Sequence, residues 1–145
     1  MYKKILVATD GSEIAQKAEQ HAIELAKVHD ATLIAVTVSE PYEAVAFTET
    51  MAVINRDDYS KQCASHADDV LSKVVQGARG AGIACETMHQ DSHWPYAGII
   101  EAAEKTGADL IVLGSHGRRG LEGLLLGSQA MKLLTHTKVP TLVIR

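Results

Sequence analysis

Strands and helices alternate along this chain in the order β-α-β-α-β-α-β-α-β, which predicts an α/β protein. The expectation is one domain over residues 1–145, an open five-stranded parallel sheet with helices on both faces. Three observations carry it. Short apolar runs without polar alternation, at 3–8, 31–38, 109–113 and 141–144, read as strands buried on both faces. The segments between them hold apolar residues at helical spacing. A length of 145 residues, 46% hydrophobic and 22% charged, fits one globular domain and leaves no room for a separate module.

Residues 3–8 run into Thr9-Asp10-Gly11-Ser12, a strand entering a turn rich in capping residues. From 13 to 28, Ile14, Ala18, Ala22, Leu25 and Ala26 form an apolar stripe against Glu13, Lys17, Glu24 and Lys27. Residues 31–38 make the second strand. The stretch 39–55 has weak periodicity and contains Pro41, so it reads as a long connection with room for a short helical turn. Tyr59, Cys63, Ala67, Val70, Leu71, Val74 and Ala78 mark a second long helix, stopped by Gly80 and Gly82. Residues 83–89 form the third strand. Pro95 opens a third helix, with Ile99, Ile100 and Ala103 inward and Gly107 as its stop. After the strand at 109–113 come a glycine-rich segment to 127, a last helix at 128–136, and a fifth strand at 141–144 following Pro140. Right-handed crossovers put ligands at the carboxyl ends of such strands, where Thr9-Asp10-Gly11, the region after Val38 and the segment after Leu113 gather.

Composition narrows the function classes. A net charge of -4 with both signs interspersed gives no basic stripe for nucleic acid. No apolar run approaches the roughly 20 residues of a membrane span, and the start of the chain does not read as a signal peptide. Cys63 and Cys85 stand far apart, the expectation being two half-buried thiols in a reducing cytoplasm. The seven histidines are scattered, with only His89 and His93 four apart in a stretch broken by Pro95, so no metal site is expected.

Residues 114–128 concentrate five of the chain's 11 glycines between a strand and a helix. Glycine lets backbone approach a ligand closely, and the amides of Gly127, Ser128 and Gln129 at a helix start would suit phosphate oxygens; the alternative is glycine for turn chemistry alone. The lysine-bearing P-loop pattern and the G-x-G-x-x-G of dinucleotide folds are both missing, which removes support for motor-type NTP hydrolysis and hydride transfer. What stands is Gly114, two residues, Gly117, nine residues, then Gly127-Ser128. This spacing, with the opening KKILVATDGSE, the block ADLIVLGSHGRRG, the turn LLLGS and the closing VPTLVIR, resembles the nucleotide-binding universal stress proteins over the whole chain.

The resemblance implies a Rossmann-like sheet in order 3-2-1-4-5 and a stress-response regulatory role. It also implies ATP, ADP or AMP in the strand-end cleft, with or without Mg, and a homodimer paired through strand 141–144. Carried over by position, Ala8, Thr9 and Asp10 border the ribose and phosphates, the backbone of Val36 meets the adenine edge, and Gly114, Gly117, Gly127, Ser128 and Gln129 cradle the phosphates. Asp10 is otherwise read as the cap of the first helix, with Glu13 three residues on. Arg118 and Arg119 either clamp phosphate oxygens or lie solvated. His116 has no second group at fixed spacing to make a catalytic set, so no specific turnover is assigned. The alternatives are a slow ATP hydrolase or nucleotide-transfer enzyme on the same fold class, and a stress protein that binds no nucleotide. His93-Trp94 departs from the shorter, glycine-containing turn of the family, leaving Trp94 as a ligand contact or a packed anchor.

Overall fold

The computed structural model describes residues 1–47, 54–117 and 126–145. Its sheet contains β1 (Lys4–Ala8), β2 (Thr32–Ser39), β3 (Cys85–Asp91), β4 (Leu110–Gly114) and β5 (Thr141–Ile144), all parallel, in the order β3-β2-β1-β4-β5. Alternate residues of the three central strands serve two cores, which is why their sequence shows no polar alternation. Ile5, Val7, Leu33, Ala35, Leu110 and Val112 face α1 (Glu13–His29) and α3 (Arg56–Ala81). Leu6, Ile34, Val36, Ile111 and Leu113 face α4 (Pro95–Thr106) and α5 (Ser128–His136). Ala18, Ala22 and Ala26 are wholly buried on one stripe of α1, small enough to bring the helix close to the strands. Among the described residues of the long connection after β2 there is one short helix, α2 (Tyr42–Val45).

Helix and strand ends differ from the sequence expectation where polar contacts set them. Apolar spacing starts the second long helix at Tyr59, but α3 begins at Arg56, because the Asn55 side chain accepts from the Asp58 amide at 2.9 Å. Gly80 does not stop it. The left-handed residue is Gly82 (φ 74°), whose amide closes the last turn on the Ala78 and Arg79 carbonyls. Ile83 donates to the Ala78 carbonyl at 3.0 Å and belongs to that turn, so β3 starts at Cys85 and runs two residues further than its apolar content, pairing Gln90 and Asp91 with Val38 and Ser39. At the other end of the sheet, the Asp109 carboxylate accepts from the Lys3 and Lys4 amides at 2.9 and 3.2 Å and ties the start of β1 to β4.

Candidate functional site

The chain leaves β1 toward β2 and β3 on one side and returns to β4 and β5 on the other. The carboxyl ends of β1 and β4 therefore flank the reversal point where open α/β sheets bind ligands. At this crevice the Thr9-Asp10-Gly11 turn is tightly specified. Gly11 takes φ 78°, a left-handed conformation that favours glycine, and its amide donates to Thr9 Oγ1 at 3.1 Å. Asp10 Oδ1 accepts from the Ser12 amide at 2.9 Å. Asp10 is therefore not the helix cap. That position belongs to Ser12, whose Oγ accepts from the Ala15 amide at 3.3 Å, leaving the Asp10 carboxylate at the mouth of the turn.

Across the crevice, each glycine of the spaced pattern meets a neighbour that a side chain would strike. A Cβ on Gly114 would lie 3.0 Å from Ile14 of α1, so this glycine lets the first helix pack against the end of β4. A Cβ on Gly117 would lie 2.9 Å from Asp10 Oδ2, which puts the two turns in direct contact. At Gly127 it would lie 3.0 Å from the Ser115 carbonyl and 3.2 Å from His116 Cα. None of these three carries a positive φ, so close approach, and not turn conformation, is what requires glycine.

The Gly127 amide donates to the Ser115 carbonyl at 2.6 Å, so the amides that open α5 without an intrahelical acceptor are those after it. Gly127 stands at the N-cap of α5 with no side chain to cap the helix. The amides of Ser128, Gln129 and Ala130 precede the first intrahelical bond, Met131 N–H to the Gly127 carbonyl at 3.0 Å. Ser128 itself is exposed. The Gln129 side chain is engaged elsewhere, its Oε1 accepting from the Tyr96 amide at 3.1 Å and so joining the starts of α4 and α5.

Ala8 ends β1, half-buried on the α4/α5 side. Val36 is wholly buried three positions short of the end of β2, its carbonyl accepting from the Thr9 amide at 2.9 Å. Arg118 and Arg119 lie outside the described residues. Trp94 is 55% exposed, with Lys132 Nζ 4.8 Å from its ring centroid, and is not part of a core.

Two residues here escaped the sequence reading. Ser115 is 3% exposed and joins three elements: its amide donates to the Ile144 carbonyl at 2.7 Å, its carbonyl receives Gly127, and its Oγ lies 3.2 Å from His116 Nδ1. Glu19, on the second turn of α1, accepts from the Thr9 hydroxyl. Burial pushes its carboxyl above the ordinary value; Asp10 adds to the rise, while the Thr9 bond and Lys73 oppose it. Among the described residues no group of three His, Cys, Asp or Glu side chains is placed to hold a metal ion.

An open parallel sheet in the order β3-β2-β1-β4-β5, with a helix start that no side chain caps beside the end of β4, defines a small Rossmann-like α/β protein. The model of the Universal stress protein family matches residues 1–145, and the chain belongs to that family. It is 35% identical to Universal stress protein MJ0531 of Methanocaldococcus jannaschii, over 100% of this chain and 83% of that one. Among solved structures it resembles Universal stress protein UspA from Lactobacillus plantarum (TM-score 0.86, 27% identity, 99% of this chain and 98% of that chain). It also resembles a universal stress protein crystallised in complex with cAMP (TM-score 0.72, 25% identity, 99% and 97% covered).

Proposed function

We propose that this protein is an adenine-nucleotide-binding regulatory module of the stress response, with ATP as its ligand and a homodimer as its working form. The observation that carries the reading is the closure of Gly127 on Ser115, which sets the uncapped start of α5 beside the end of β4, whose following turn meets Asp10 after β1 at Gly117. The amides of Ser128, Gln129 and Ala130 and the Ser128 hydroxyl suit phosphate oxygens there. The cAMP complex of a relative supports an adenine nucleotide as the class of ligand. The dimer reading is supported by β5, an edge strand with Leu142 36% exposed. Action in the cytoplasm fits two free thiols, Cys63 and Cys85.

Mass spectrometry of small molecules released on denaturing the purified protein tests the ligand class. An adenine nucleotide at near-stoichiometric yield supports the reading. A protein that releases none, and then takes up no ATP in equilibrium dialysis, contradicts it.

A further inference from the structure

Glu19 stands beside the crevice without being part of the proposed phosphate cradle. Its carboxylate accepts from the Thr9 hydroxyl, and that same oxygen of Thr9 receives the Gly11 amide at 3.1 Å. One continuous chain of bonds thus runs from α1 through a residue 5% exposed to the backbone of the turn that carries Asp10. Two further charged groups act on Glu19 among the described residues: Asp10 from the turn, and Lys73 from α3, which is itself paired with Asp69 at 3.2 Å. The strands under α1 and α3 present Ile5, Val7, Leu33, Ala35, Leu110, Val112 and Ile144 to that face, with Thr37 of β2, polar but not ionisable, buried on it as well. A half-buried carboxylate acted on by a second acid, and by one lysine that is already paired, is poorly placed to keep its charge when a further anion arrives.

Resting on the nucleotide reading above, we propose that Glu19 is a proton-responsive positioning residue of the site. Its carboxyl holds the Thr9-Asp10-Gly11 turn through Thr9, and it takes up a proton from solvent when phosphates settle beside that turn. Ionised, it sets the turn but adds negative charge near the ligand. Protonated, it removes that charge while its carbonyl oxygen still accepts from Thr9. Nucleotide affinity then rises as pH falls through the range in which Glu19 titrates.

Isothermal titration of ATP into wild type and Glu19→Gln, at pH 6 in two buffers of different ionisation enthalpy, reads the proton directly. Protonation of ATP itself is common to both proteins and cancels in the difference. Wild type is expected to take up more protons per ATP than the variant. Glu19→Gln, which keeps the acceptor for Thr9, is expected to bind ATP several-fold tighter at pH 8, with the gap closing toward pH 5. Equal proton uptake by the two proteins, or a variant weaker at every pH, would overturn the proposal. A wild type that binds no ATP at any pH would remove the nucleotide reading and this inference together, which separates the two failures.

Discussion

The Gly127 amide and the Ser115 carbonyl meet at 2.6 Å, with no room for a side chain on Gly127, and this contact brings the start of α5 to the end of β4. Gly127→Val places branched carbons against backbone that cannot yield. It is expected to cost about 1–3 kcal/mol of stability through overpacking and to abolish ATP binding. Urea unfolding and calorimetric titration on the same sample check both effects.

Gly117→Ala is the contrasting case, because its Cβ would strike the side-chain oxygen of Asp10, 2.9 Å away, and not the main chain. Asp10 can turn aside, so stability should stay within about 0.5 kcal/mol of wild type while ATP affinity falls. A variant with unchanged affinity would remove the Asp10 turn from the site.

Ser128 is exposed at the first position of α5, and its hydroxyl has no packing role there. Ser128→Ala should leave the melting curve of the ligand-free protein unchanged and weaken ATP binding about 10- to 100-fold, the worth of a hydrogen bond to a charged group.

Stability should also report Glu19. Its carboxyl titrates above the ordinary 4.5 in the fold, so the folded state favours the protonated form. The stability it contributes is fully present below the unfolded value and is lost as pH rises through the folded one. Glu19→Gln should therefore melt at the same temperature as wild type near pH 4 and higher than wild type at pH 7 to 8. Thermal scans across that range check the sign.

The register of β5 sharpens the dimer prediction. Ile111 donates to the Pro140 carbonyl and Ser115 to the Ile144 carbonyl, so residues 140, 142 and 144 turn their backbone groups to β4, while Thr141 and Val143 turn theirs outward. Val143→Pro removes an outward donor and should yield a folded monomer by light scattering. Leu142→Pro removes a donor inside the sheet and should destabilise the fold. A Val143→Pro protein that stays fully dimeric would move the interface elsewhere.

The strands and their order of appearance were legible because residues such as Ile5, Val7, Leu33 and Val112 are apolar for a single reason, burial on a face of the sheet. The start of α3 was not, since Asn55 and Asp58 fix it by a polar bond that apolar spacing does not register. The glycine pattern pointed to the crevice, but sequence spacing does not say which groups meet. That Ser12 and not Asp10 caps α1, that the Gly127 amide is taken by Ser115, and that the Val36 carbonyl is taken by Thr9 all depend on hydrogen-bond direction. Nothing in the sequence sets Glu19 apart from the other polar positions of an amphipathic helix. Only the fold of the turn after β1 brings Thr9 onto it.

Thermal unfolding of ligand-free protein with increasing ATP tests the central claim most directly, because a ligand held by the folded crevice and not by the unfolded chain must stabilise the fold. At a hundredfold excess over the dissociation constant the gain is about 2.7 kcal/mol, and the melting temperature should rise by about 5–10 °C for a chain of this length, with GTP doing less. An unchanged melting curve at millimolar ATP would contradict the account.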